Sequence, residues 1–227
     1  MLEAFKKTLL AAAVASSGVA ASIESYTYEA TYTGSEAATE VTYSSCDIGT
    51  ADADRWVVIT INSAGGGSSS VSSVTIGGVS ATITRTAYDS HEQEYAAIAY
   101  AKVPTGATAD IVVTYSSTTP NRIGVFTIVL SSGATLAEYA GYVDTNGDLS
   151  TTIDIAENGV VIAAYCTGKQ TANHTWTNMT ERYDEEISAS RCTAASYQAT
   201  SAEIGRSISC SNGSSDSASA LSSFYAT

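Results

Sequence analysis

Beyond the N-terminal segment, hydrophobic and polar residues follow each other with the short period of β-strands. Residues 25–33 alternate tyrosine with small polar residues, which is typical of a half-exposed strand. Residues 55–61 are almost continuously apolar, which indicates a central strand covered on both faces. Two further runs, 71–76 and 79–85, flank Gly77-Gly78 and predict a hairpin, because two glycines permit a tight two-residue turn.

More strand-like runs follow to the end of the chain, at 94–103, 109–115, 121–130, 136–143, 149–155, 160–165 and 220–226. They are short and closely spaced, and no long amphipathic helix interrupts them. This spacing predicts an all-β protein built as an antiparallel β-sandwich, of jelly-roll or Ig-like type. Because no exact repeat and no linker divides this part of the chain, we predict one sandwich domain over residues 38–227, closed by a last strand at 220–226.

The first residues, 1 to about 22, combine features of a secretory leader with those of a docking arm. Lys6 and Lys7 precede an apolar run at 9–15, and small residues follow at 19–21. This run is too short to cross a membrane, which takes about 20 apolar residues. We favour a helical or extended anchoring arm, which forms a module over residues 1–37 with the tyrosine-rich strand; a leader is the alternative. The predicted anchoring side chains are Leu2, Phe5, Leu9, Leu10 and Val14.

Composition and charge narrow the classes of function. Hydrophobic residues make up 44% of the chain and charged residues only 15%, so much of the polar surface must be Ser, Thr, Asn and Tyr. Such a surface suits stable packing against other copies or partners. The net charge of -13 repels phosphate backbones and anionic lipid headgroups, which argues against a nucleic-acid partner.

The four cysteines, Cys46, Cys166, Cys192 and Cys210, show no closely spaced pair of the kind that binds structural zinc. They allow three pairings. A Cys192–Cys210 disulfide is the one that two neighbouring C-terminal strands form most easily, but we favour buried reduced thiols.

Candidate catalytic residues are sparse. The two histidines, His91 and His174, lie in polar segments with no nucleophile-elbow sequence nearby, and both are interpreted as exposed loop residues. The segment 144–148 resembles the start of a calcium loop but lacks its later acid, and Asn146-Gly147 is better explained as a turn. We expect no catalytic activity, no metal and no cofactor.

A cluster of acids near the C-terminal third raises the question of glycan chemistry, because two suitably placed carboxylates are enough to hydrolyse a glycosidic bond. The acids are Glu181, Asp184, Glu185 and Glu186. Strand-end acids in solvent explain them better, because such acids occur in many β proteins. Trp176 and Tyr183 are candidate contacts for a host glycan that is bound without being cleaved.

Five segments, taken in order, resemble β-sandwich proteins encoded by tailed bacteriophages. They are 48–61, 73–82, 101–106, 111–115 and 175–183, and the resemblance spans roughly residues 45–227. It implies a virion surface component, either a tail or fibre protein or a head decoration. This resemblance implies no catalytic residue in the chain.

The expected partners are therefore other capsid or tail proteins, further copies of this chain with a trimer favoured, and a host surface glycan. The expected location is the virion. An exported bacterial surface or fibre-forming subunit is the main alternative, since the leader-like segment and the cysteines suit secretion. A glycan-hydrolysing surface protein is a third hypothesis.

Overall fold

The computed structural model describes residues 21–34, 38–64, 70–91, 93–118, 120–168, 172–187, 190–213 and 215–227. The predicted anchoring residues Leu2, Phe5, Leu9, Leu10 and Val14 lie outside these ranges. The prediction of an all-β antiparallel protein is confirmed: within the described ranges there are seventeen strands in four sheets, and no helix. Accordingly, no helix in this part of the chain is long and apolar enough to span a membrane.

The first half of the chain forms two sheets. Sheet I has the order β2-β8-β4-β5, and sheet II has the order β1-β9-β3-β7-β6. The strands are β1 (Ile23–Thr33), β2 (Glu40–Asp47), β3 (Arg55–Ser63), β4 (Val71–Ile76), β5 (Val79–Ser80), β6 (Thr82–Tyr88), β7 (Tyr95–Lys102), β8 (Thr108–Tyr115) and β9 (Asn121–Leu130).

The second half also forms two sheets. Sheet III has the order β10-β17-β12-β15-β14, and sheet IV has the order β11-β16-β13. The strands are β10 (Leu136–Asn146), β11 (Leu149–Ile155), β12 (Val160–Thr167), β13 (Thr175–Thr177), β14 (Thr180–Ile187), β15 (Ser190–Gln198), β16 (Glu203–Ser211) and β17 (Asp216–Ala226).

The sheets stack in the order I, II, III, IV with a hydrophobic core in each gap. Strand β3 contributes side chains to two of these cores, because successive side chains of a strand point to opposite faces. Val57, Ile59 and Ile61 belong to the core between sheets I and II. Val58 belongs to the core between sheets II and III, together with Phe224 of β17. A third core fills the gap between sheets III and IV. The apolar run at 55–61 is therefore a strand covered on both faces, as predicted.

The stack differs from the single sandwich predicted for residues 38–227, because it contains two sandwiches. Their strand orders correspond one to one: β1-β9-β3-β7-β6 matches β10-β17-β12-β15-β14, and β2-β8-β4 matches β11-β16-β13. The two sandwiches pack on each other through sheets II and III. Strand β6 lies on β10 and β17, and its counterpart β14 lies on β9, with the Arg182 guanidinium over the Tyr26 ring of β1. The two halves thus share one strand order.

Several local predictions can be compared with this architecture. The Gly77-Gly78 turn is present, with φ of 59° and 78°. Strand β5, which follows this turn, is short and pairs with β4. The chain then crosses to sheet II, where it continues as β6. Strand β1, assigned with the arm to a separate module, pairs with β9 at the edge of sheet II. The last strand, β17, lies inside sheet III between β10 and β12, and not at its edge.

Candidate functional site

A cluster of hydroxyl, imidazole, carboxylate and carboxamide groups lies at one end of the second sandwich. Alternation along β12 turns Tyr165 and Thr167 toward sheet IV, where the segment before β13 supplies His174. Asp184 comes from β14, and Asn212 directly follows β16. The cluster therefore joins four separate segments of the chain.

Asp184 fixes His174 through two hydrogen bonds. Its Oδ1 lies 2.6 Å from His174 Nδ1, and its Oδ2 accepts the His174 backbone N–H at 3.0 Å. Arg191 Nε also donates to Asp184 Oδ1, at 3.0 Å. Burial raises the pKa of Asp184, but the hydrogen bonds from His174 and Arg191 outweigh burial and hold that pKa below its ordinary value. The carboxylate is therefore ionised at neutral pH.

The other ring nitrogen of His174 faces Thr167. Because the Asp184 carboxylate can only accept, Nδ1 of His174 carries a proton, and Nε2 is an acceptor whenever the ring is neutral. Thr167 Oγ1 lies 3.2 Å from this Nε2. Asn212 Nδ2 lies 2.7 Å from Thr167 Oγ1 and 3.3 Å from His174 Nε2. The arrangement is a hydroxyl, an imidazole base and a carboxylate in series, the order used to activate a nucleophile.

Burial closes this cluster to outside molecules. Thr167 and the side chain of His174 are 0% exposed. The interpretation of His174 as an exposed loop residue is therefore wrong, because Asp184 draws both its backbone and its ring inward. His91 is exposed, and its Nδ1 lies 3.1 Å from Asp216 Oδ1.

The acid cluster is divided between the two faces of β14. Asp184 faces His174 and Arg191, whereas Glu185 pairs with Arg122 of sheet II on the opposite face. Glu181 is exposed, and its pKa is raised first by partial burial and then by the nearby Asp184 charge. Since strand alternation separates these neighbours, Asp184 and Glu185 do not form the facing carboxylate pair that glycan hydrolysis requires.

The two residues suggested as glycan contacts have different surroundings. Trp176 is half-buried, its Nε1 donates to Thr193 Oγ1 at 3.0 Å, and its ring meets Tyr165 edge-on. Tyr183 is only 6% exposed and lies between sheets II and III, where its hydroxyl donates to Asn62 Oδ1 at 2.6 Å. This position does not allow Tyr183 to contact a ligand at the surface.

A pocket of about 450 Å³ opens at one end of the first sandwich, and no residue pattern predicted it. It is lined by Ser25, Thr27, Glu29, Asp47, Gly49, Thr50, Ala107, Thr127 and Val129. Burial raises the pKa of Glu29 above its ordinary value. The hydroxyl and carboxylate groups of this lining suit ordered water or a small polar molecule.

No family model, curated protein or solved structure matches this chain. The chemistry that the two sites can support therefore follows from their own geometry.

The cysteines pair differently from the expectation. Cys166 and Cys192 face each other in register on β12 and β15 and form a buried disulfide, so Cys192 does not pair with Cys210. The favoured interpretation of buried reduced thiols therefore holds for Cys46 and Cys210 only. Cys210 lies in the core between sheets III and IV, on the other side of β12. Cys46 lies in the first sandwich. Burial raises the pKa of the Cys46 thiol to about 11 and that of Cys210 further, so both stay protonated.

We therefore expect two cysteines, Cys46 and Cys210, to react with iodoacetamide in denaturant without reductant, and four after reduction. The reason is that an unfolded chain exposes its free thiols but keeps its disulfide. Peptide mapping after differential alkylation measures this. Labelling of all four without reductant, or a linked peptide that joins Cys192 to Cys210, contradicts the pairing.

Proposed function

We propose that this protein is a noncatalytic structural component of a bacteriophage virion, attached to the particle through its N-terminal arm. The observation that carries the proposal is the strand order. If β5 and β6 are counted as one bent strand, the first sandwich has eight strands that pair first with last, second with seventh, third with sixth and fourth with fifth. This is the wrapping of a jelly roll, an architecture common in viral capsid proteins.

The second sandwich supports the same assignment. Its strand pairs β10–β17, β11–β16 and β12–β15 repeat the first three pairings. Two tandem jelly rolls joined face to face give a rigid block with a large outer surface. The buried state of the His174 cluster favours a structural protein over an enzyme, because turnover needs access for a substrate.

Removing residues 1–20 should release the protein from purified particles while leaving its thermal unfolding unchanged. The arm's apolar side chains would dock on capsid or tail proteins, and their burial is the expected source of affinity. Co-sedimentation of the protein with particles is the measurement. A full-length variant with Leu2, Phe5, Leu9, Leu10 and Val14 changed to serine should behave like the deletion, and Thr8→Ser is the matched control. Undiminished binding of the deleted protein to particles would reject the proposal.

A second candidate, an exported bacterial surface or fibre-forming subunit, is favoured by the buried Cys166–Cys192 disulfide. Disulfides persist in oxidising compartments and are rare in the cytosol. N-terminal peptide mapping of the native protein separates the two. A Met1-containing peptide from particles supports the virion protein, whereas a start near Ser22 in a secreted fraction supports the exported subunit.

A further inference from the structure

The His174 cluster contains a nucleophile, a base and an electrophile within one closed site. Thr167 Oγ1 is the nucleophile and His174 Nε2 the base, 3.2 Å apart. The side-chain carboxamide of Asn212 is the electrophile, and its Nδ2 lies 2.7 Å from Thr167 Oγ1. Because Thr167 is fully buried, the group that its hydroxyl can attack has to belong to the chain itself.

We propose that Thr167 and Asn212 form an intramolecular ester bond, with His174 as the proton carrier and Asp184 as the residue that positions His174. This inference is independent of the proposed virion role. It concerns a single self-modification of the folded chain, with no turnover.

The step is balanced without a further reactant. Thr167 Oγ1 attacks Cγ of Asn212, and His174 Nε2 takes the hydroxyl proton. The tetrahedral intermediate then collapses as the Cγ–Nδ2 bond breaks, and His174 returns the proton to the leaving nitrogen. The products are a Thr167–Asn212 ester and one molecule of ammonia. Asn212 is half-buried beside the exposed Gly213, which gives ammonia a route to solvent.

Three features of the site favour this reaction. The Asp184 carboxylate holds the imidazole in the tautomer with Nε2 as base, as in hydrolase triads. The surroundings of Thr167 exclude water, which protects the ester from hydrolysis. Thirdly, the loop is fixed, since Asp148 Oδ1 accepts the backbone N–H of Asn212 at 3.1 Å and that of Gly213 at 3.2 Å.

The Asp148 contact also bears on a competing reaction. An Asn-Gly sequence can lose ammonia when the glycine nitrogen attacks the asparagine side chain and forms a succinimide. Here the Gly213 N–H is engaged by Asp148, which opposes that attack. The ester would connect the end of β12 in sheet III with the segment that follows β16 in sheet IV.

The test is mass spectrometry of the purified full-length protein, reduced and alkylated. We expect an intact mass about 17 Da below that of the fully alkylated sequence, a difference that equals the mass of ammonia. Trypsin should then release one branched species that joins peptide 123–169, which contains Thr167, to peptide 207–227, which contains Asn212. Fragmentation should locate the branch at these two residues.

Variants separate the chemistry from folding. Thr167→Val and Asn212→Ala should abolish the branched peptide, whereas Thr167→Ser, which keeps a hydroxyl, should retain it. His174→Gln should abolish it as well. Asp184→Asn should slow its appearance after refolding by roughly 100-fold or more, because the base loses its fixed tautomer. Thr177→Val, on the exposed side of neighbouring β13, is the matched control and should not change the yield.

Three results would overturn the proposal. The first is an unchanged intact mass with peptides 123–169 and 207–227 recovered separately. The second is a loss of ammonia confined to peptide 207–227, which would identify a succinimide. The third is a mass loss that persists in Thr167→Val.

Discussion

Replacing Arg55 with methionine is expected to lower the free energy of unfolding by about 3–5 kcal/mol, since it removes four charge-assisted hydrogen bonds, one of them buried. Arg55 is 0% exposed, at the start of β3. Its guanidinium donates to four carbonyl oxygens: Val103 at 2.8 Å, Gly49 at 2.7 Å, and Thr105 and Gly106 at 2.8 Å each. These bonds join the loop before β3 to the loop between β7 and β8.

Urea denaturation followed by circular dichroism measures this effect. Arg55→Lys should recover only part of the stability, because an ammonium group cannot present the planar fork that reaches all four carbonyls. Lys102→Met is the matched control. Its ammonium lies 3.2 Å from Asp54 Oδ1, but the side chain is 40% exposed, so the expected loss is below about 1 kcal/mol. Equal losses for the Arg55→Met and Lys102→Met variants would contradict this role for Arg55.

The sequence predicted the local structure best where the residues of a single strand or a single turn determine it. The apolar run of β3 and the glycines at 77 and 78 were sufficient to predict a doubly covered strand and a turn. The shared strand order of the two halves could not be predicted, because corresponding strands carry different residues. Strand β9 is rich in Ile and Val, whereas its counterpart β17 buries serines, including Ser219, Ser222 and Ser223. The two halves share their strand order, and a pattern of residue types does not encode strand order.

The candidate site was hidden for a different reason. Its members are distant in sequence, with Thr167 and Asn212 separated by 45 positions. Only the stacking of sheets III and IV brings them together. His174 lies among polar residues, a pattern that normally indicates an exposed loop, and its burial depends on Asp184 from another strand. A histidine and an acid in polar segments gave no signal that distinguishes a buried pair from two solvated side chains.

A substitution at the interface between the two sandwiches is expected to have the second large effect on stability. Tyr183 of β14 reaches across it, and its hydroxyl donates to Asn62 of β3 at 2.6 Å. Tyr183→Ala should lower the free energy of unfolding by about 3–5 kcal/mol, because it opens a cavity and removes the donor to a buried amide. Tyr183→Phe should cost less, about 1–3 kcal/mol, since it keeps the ring. A surface glycan contact at Tyr183 would instead leave stability unchanged in both variants.

Gly124 of β9 allows a more specific test of how the Tyr183 ring packs at this interface. A Cβ added at Gly124 would lie 2.9 Å from Tyr183 Cε1 and 2.8 Å from Thr60 Oγ1, so Gly124→Ala should destabilise the protein by about 1–3 kcal/mol. In the Tyr183→Ala background the ring is gone and only the Thr60 contact remains, so the same change should cost less, with a coupling energy of about 1 kcal/mol. Urea denaturation of the wild type, the two single variants and the double variant completes the cycle. Strict additivity would mean that the ring does not pack on Gly124, and the proposed packing of β14 against β9 would then be incorrect.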